Sequence, residues 1–203
     1  MSFLEFKSAL KSLRPFSLTD IRKVYSNFDQ RRLTEWQQKG YLVKLINGRY
    51  IFSDDQVDEQ MLFAIGCYLL RPSYISLETG LFYHGLIPEQ PFSITAVTTM
   101  TTKSYATPVG NFVYRHLKPG LYFGYEVMHR TGGRPILMAS IEKSLIDYFY
   151  MNPQLNTIEA IEAVRFNRQI LQDIDRTKLE TFLAAFDSEA LCRRFKLFER
   201  EYC

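Results

Sequence analysis

The dipeptide Asn47–Gly48 lies between two short alternating stretches, LVKLI and RYIF, and these eleven residues limit the fold more than any others in the chain. Asn and Gly accept the left-handed backbone that tight hairpins need, so residues 42–52 are expected to form a β-hairpin. Helical spacing precedes it. Phe3, Phe6 and Leu10 recur at the interval of one helix face over residues 2–12, and Pro15 ends that helix. Ser17, with Asp20 three residues on, reads as the capping box of a second helix, whose inner face carries Leu18, Ile21 and Val24 or Tyr25. A third helix runs from about Asp29 to Lys39 with Leu33 and Trp36 inward, and Gly40 closes it. Three helices and a hairpin in about 50 residues match the winged helix-turn-helix layout.

Charge separates this segment from the rest. Residues 1–52 hold ten Lys or Arg and four acids, a balance of +6, whereas the whole chain of 203 residues is +3. The remainder is therefore −3. A basic first quarter joined to a slightly acidic remainder suggests a polyanion-binding module coupled to a second unit. Asp54, Asp55, Asp58 and Glu59 read as the junction. The expected domains are residues 1–53, a winged helix-turn-helix, and residues 54–203, a mixed α/β domain with a small sheet and C-terminal helices, giving an α+β fold class. In the second unit a helix is expected from about Gln56 to Leu70. Strands are expected near 73–76, 93–99, 111–117, 122–130 and 135–138. Ser76 and Ser140 are expected to cap helices, and the chain from about Thr157 onward to be helical.

With Leu33 and Trp36 inward, Gln30, Arg31, Arg32, Thr34, Gln37 and Gln38 cover the outer side and leading end of the third helix. Arg can donate two hydrogen bonds to guanine and Gln can read adenine, so the set suits the major groove of DNA. Lys44, Asn47 and Arg49 sit on or beside the hairpin, where cations touch phosphate and anchor without reading sequence. A second basic patch is expected from Lys103, Arg115, Lys118, Arg130 and Arg134, with His116 and His129 nearby, sharing a face of the sheet. Glu142, Lys143 and Asp147 are the residues weighed as a nuclease-type carboxylate site. They lack a strand-borne acid and a D/E-x-K signature, and a Lys143–Asp147 helix pair is the plainer reading.

No CxxC pair exists among Cys67, Cys192 and Cys203, and His84, His116 and His129 lack metal-ligand spacing. No phosphate-binding glycine loop and no recognisable nucleophile setting occurs. No metal, cofactor or catalytic residue is therefore expected, and regulation is favoured over an enzyme. The first residues lack the apolar core of a signal peptide and no apolar run reaches about 20 residues, so a cytoplasmic protein without membrane contact is expected.

Three blocks carry a family resemblance. PSYISLETGLFYHGL (72–86) resembles the "YiS..sAL..hGL" stretch of the AbiEi-type antitoxins, regulators linked to bacterial abortive infection. SIEKSLIDYFY (140–150) resembles their "S.EKAL.D.ly" helix, and QQKGYLVKLINGRYIF (37–52) their "L...G.l.rl.rG.Y" wing. Gly80 and Ser144 stand where that family usually has Ala. The resemblance implies a DNA-binding winged helix followed by an antitoxin domain, and autorepression of an operon. It also implies a nucleotidyltransferase-type toxin as functional partner, countered without a stable complex. The alternatives are a winged-helix repressor with an unrelated sensor domain, and a nuclease-type enzyme in residues 54–203.

Overall fold

The computed structural model describes residues 1–129 and 133–202. Arg130 of the expected patch, Thr131 and Gly132, which lie between the strands expected near 122–130 and 135–138, and Cys203 lie outside the described residues. The chain is a mixed α+β structure.

Its first helix, α1 (Phe3–Leu10), opens on a capping box: Glu5 N–H donates to the Ser2 hydroxyl at 3.3 Å and Ser2 N–H donates to the Glu5 carboxylate at 2.6 Å. A 3-10 turn (Lys11–Leu13) and the two-residue strand β1 (Phe16–Ser17) follow. Ser17 then caps α2 (Leu18–Val24) in the expected box with Asp20. Ile21 is its buried apolar residue, next to the buried Asp20. Val24 is exposed, and Tyr25 packs on the core in its place. Helix α3 (Arg31–Gln38) buries Leu33 and Trp36, and Gly40, at φ +70, takes the left-handed conformation that ends it. The hairpin is β2 (Leu42–Ile46) and β3 (Arg49–Phe52), with Gly48 at φ +71 in the turn. β1 joins on the far side of β3, so the order is β1-β3-β2, all antiparallel. Trp36 lies 4.5 Å from Phe6 and 5.4 Å from Phe3, ring centre to ring centre, in a core that Leu10, Phe16, Ile21, Leu33, Tyr50 and Phe52 complete.

The hairpin has two buried faces. Leu42, Tyr50 and Phe52 face the first core, while Val43, Leu45, Ile46 and Ile51 pack against a second one. A register shift between Lys44 and Ile46 marks a bulge at Leu45 and lets consecutive residues Leu45 and Ile46 both pack on that second core.

That second core belongs to a six-stranded mixed sheet. Asp58 caps α4 (Glu59–Leu69) by accepting from Met61 N–H at 2.7 Å. The sheet is built from β4 (Ser73–Ile75), β5 (Ser93–Thr98), β6 (Lys103–Thr107), β7 (Gly110–His116), β8 (Tyr125–Met128) and β9 (Ile136–Ala139), in the order β6-β7-β5-β4-β9-β8. β5 pairs with β7, and β4 with β9, in parallel; the other neighbours are antiparallel. The sheet is larger than the small one expected from sequence. β6, KSYAT, has only Tyr105 and Thr107 shielded and lacks the apolar alternation that announces a strand. One face carries α4 and the hairpin through Met61, Phe63, Ile65, Phe112, Tyr114 and Met138. The other carries α5 (Leu77–Tyr83), α6 (Ile141–Met151) and the helices α7 (Ile158–Glu162), α8 (Arg168–Gln172), α9 (Arg176–Ala185) and α10 (Glu189–Tyr202), packed around Leu145, Phe149, Phe195 and Phe198.

Ser140 caps α6, accepting from Lys143 N–H. Ser76 precedes α5 but does not cap it through its side chain, contrary to expectation: its hydroxyl donates to Asp147 at 2.8 Å instead. Turned toward Asp147, the Ser76 hydroxyl accepts from none of the helix N–H groups. No helix among the described residues is long and apolar enough to cross a membrane.

Candidate nucleic-acid interface

Helix α3 presents one exposed face. Arg31, Thr34 and Gln38 fall three and four residues apart, with Gln30 at the leading end, and all four are exposed. Gln30, Arg31 and Thr34 share a cleft of about 380 Å³ with Leu18, Leu33, Gly48 and Tyr50. The leading end of α3 and the tip of the hairpin therefore line one groove. Asn47 is exposed at that tip, and Lys44 is exposed on β2. Among the described residues no carboxylate pairs with Lys44 or Arg49.

Arg31 is held rather than loose. Its guanidinium meets the Asp29 carboxylate, with Nε donating at 3.1 Å and the nearest ion-pair contact at 2.9 Å, while its side chain stays 92% exposed. That hydrogen bond holds Asp29 below its usual value and raises the Arg31 pKa. Two residues expected on the outer face point elsewhere. Arg32 donates to the Met1 carbonyl at 2.8 Å, bringing it against the N-terminus. Gln37 donates to the Leu33 carbonyl at 2.9 Å and so lies along its own helix. Both sit a quarter-turn from the Arg31–Thr34–Gln38 stripe, where the nearest acceptors are backbone carbonyls.

The second patch does not assemble on one face. Lys103 is exposed on edge strand β6 and lies across from Tyr114. Arg115, the next residue on β7, points to the opposite face, where it donates to the Met151 carbonyl at 3.2 Å. His116 donates through Nδ1 to the Met100 carbonyl, 2.9 Å away, and Lys118 and His129 are exposed. Arg134 precedes β9, near the other edge of the sheet. It is no surface cation: its side chain is 13% exposed, its guanidinium lies 2.7 Å from Asp20, and its Nε donates to the carbonyls of Pro15 at 2.6 Å and Leu13 at 3.1 Å. Spacing in sequence could not show that β5 and β4 separate these strands.

Arg134 belongs to a cluster that sequence reasoning missed. Tyr68 on α4 donates its hydroxyl to Asp20. Three guanidiniums surround the Tyr68 ring, those of Arg134, Arg71 and Arg49 at 4.3, 4.8 and 5.7 Å from its centre. Burial acts to raise the Asp20 pKa, but hydrogen bonds from Tyr68, Arg134 and Ser17 outweigh it and hold the carboxyl down at about 2. The only signal in the sequence is the capping-box role of Asp20, which says nothing of its distant partners.

Glu142, Lys143 and Asp147 are all buried. Lys143 pairs with Asp147, which also accepts from Tyr74 and Ser76, each at 2.8 Å. The ammonium sits 4.8 to 5.5 Å from the rings of Phe186, Phe123 and Tyr74. Burial lowers the Lys143 pKa and raises that of Asp147, against their mutual attraction. Glu142 accepts from Ser140 and meets Lys178 at 3.0 Å. His84 bonds the Ala139 carbonyl at 2.8 Å. Among the described residues no group of three His, Cys, Asp or Glu is placed to hold a metal ion. Compared with models of known protein families and with curated proteins, the chain matches none.

Proposed function

We propose that residues 1–53 form a winged helix-turn-helix and that the chain is a DNA-binding transcriptional regulator. One observation carries the reading: Gln30, Arg31 and Thr34 of α3 share a single groove with the hairpin tip at Gly48. A helix that enters the major groove reads base edges with its leading residues, and a cationic hairpin beside it grips the backbone. The basic charge of this segment supports the same reading. In this reading the chain binds rather than catalyses, and the carboxylates weighed as a nuclease site are buried in an ion pair and hydrogen bonds. The autorepressing antitoxin role, with a nucleotidyltransferase-type toxin as its functional partner, rests on the three sequence blocks alone. It is tested by co-expression with the product of the neighbouring gene.

DNA binding is tested by titrating single variants against the DNA upstream of the protein's own coding sequence and against a scrambled duplex, at several salt concentrations. Arg31→Ala should cost about 1–3 kcal/mol on the first duplex and little on the second, as expected for loss of a base-reading arginine. Lys44→Ala should weaken both equally and lower the log–log salt slope by about one. If Arg31→Ala weakens both duplexes alike, α3 does not read sequence. If the wild-type protein binds neither, the first unit is not a DNA-binding module.

A further inference from the structure

Around the Tyr68 ring positive charge exceeds negative. Asp20 is the one carboxylate in the cluster, and Arg134, buried beside it, takes its charge. Arg49, half-buried at the start of β3, and Arg71, exposed just beyond the end of α4, have no acidic partner among the described residues. A tyrosine face offers a cation only a weak counter-field, and here it is shared among three. Like charges held this close repel, and an anion seated between Arg49 and Arg71 would relieve the repulsion.

The cluster also adjoins the groove described above. Gly48 lines that groove, and Arg49 follows it directly. Arg49 pairs across the sheet with Ser17, whose hydroxyl donates to the Asp20 carboxylate at 2.8 Å. The Arg49 side chain lies on the opposite face of β3 from Gly48 and Tyr50, turned from the α3 groove toward Tyr68, so it meets Arg71 beside the base of the hairpin turn. The guanidinium carbons of Arg49 and Arg71 lie 5.7 and 4.8 Å from one ring centre, so a single side chain gathers one cation from the hairpin and one from the end of α4.

We infer that Arg71, in the second unit, joins Arg49 in a phosphate-binding site that extends the DNA interface beyond the winged helix. The inference rests on the DNA-binding reading and adds a residue outside residues 1–53 to it. Tyr68 and the Asp20–Arg134 pair are positioning groups. They tie α4 to the start of α2 and so hold Arg71 at a set distance from the hairpin. The ligand is the phosphodiester backbone, and Arg71 carries no sequence information.

The test measures binding of the full chain to the upstream duplex and to the scrambled duplex across a salt series, for wild type, Arg71→Gln, Arg71→Lys and Arg49→Gln. Arg71→Gln should weaken both duplexes by the same factor, about three- to tenfold, and reduce the log–log salt slope by about 0.9, the loss of one phosphate contact. Arg71→Lys, which keeps the charge, should retain most of the slope. The double variant Arg49→Gln/Arg71→Gln should lose about twice as much slope as either alone. Arg71 also sits near the C-terminal end of α4, where a cation favours the helix dipole. A purely helix-stabilising role would lower the melting temperature of Arg71→Gln while leaving its salt slope at the wild-type value, and that result overturns the inference alone. Wild-type protein that binds neither duplex overturns it together with the reading beneath it.

Discussion

Asp20 combines two tasks that its sequence position shows only in part. It closes the capping box of α2, and it receives Tyr68 and Arg134 from the second unit. With Arg134 and Asp20 side chains only 13% and 12% exposed, losing one partner leaves the other buried without its counter-charge. Asp20→Asn should therefore destabilise the protein by about 3 kcal/mol, the lower end for a broken buried pair because some exposure remains. Acid should act in the same direction. The Asp20 pKa is held at about 2, below its ordinary 3.8. A carboxyl depressed on folding contributes stability that is full above its unfolded pKa and is lost as pH falls toward the folded one. Thermal melts from pH 6 to pH 2 should show the gap between wild type and Asp20→Asn narrowing below about pH 4. A gap that stays constant to pH 2 would show that the charge of Asp20 is not what stabilises the contact.

The contact between α5 and α6 is close enough that a methyl group matters. A Cβ on Gly80 would lie 2.4 Å from the Ser144 hydroxyl and 3.1 Å from its Cβ. The Ser144 hydroxyl is itself buried and has no hydrogen-bond partner among the described residues. Overpacking of this kind costs about 1–3 kcal/mol, so Gly80→Ala alone should destabilise by that amount. Ser144→Ala should be neutral or slightly stabilising, because it removes an unsatisfied buried hydroxyl along with the atom that blocks position 80. In the Ser144→Ala background the cost of Gly80→Ala should fall by at least 1 kcal/mol, a coupling that denaturant melts of the four proteins in a double-mutant cycle would read. Additive effects would mean that the helices shift apart to admit the methyl. The two small residues thus form a close-packed contact between α5 and α6.

At the scale of the molecule, the acidic segment that reads as a boundary is fastened at several points. Lys7 pairs with Asp54, Arg14 with Asp55, and Asp58 caps α4. The hairpin buries Leu45 and Ile51 in the core of the six-stranded sheet, each such side chain contributing about 1.5–3 kcal/mol. The full chain should therefore unfold in one transition, seen alike by Trp36 fluorescence, which reports the first unit, and by far-ultraviolet circular dichroism, which is dominated by the rest. Residues 54–203 alone should melt at a lower temperature than the full chain. Two separated transitions, or a fragment as stable as the whole, would show that the units are energetically independent.

The sequence alone determined the three helices and the hairpin of the first 52 residues, though not β1, which exists only by pairing with β3. Ser2 and Ser17 with their N3 acids, Gly40 and Gly48 with their left-handed backbones, and the apolar period of α1 and α3 act within a few residues, where propensity and capping are decided. It also pointed to the exposed stripe of α3, since burial of Leu33 and Trp36 leaves Arg31, Thr34 and Gln38 outward. What lay beyond it was every contact made across the chain. The strand order that parts Lys103 from Arg134, the buried Arg134–Asp20–Tyr68 cluster, the turn of Ser76 to Asp147 and the second buried face of the hairpin all join residues dozens of positions apart. Strand β6 escaped notice because its pairing with β7 and its contact with the hairpin supply the stabilisation that its own side chains lack. Long-range packing decides which of several locally acceptable partners a charged or polar side chain finally meets, because only there does burial make leaving it unpaired costly.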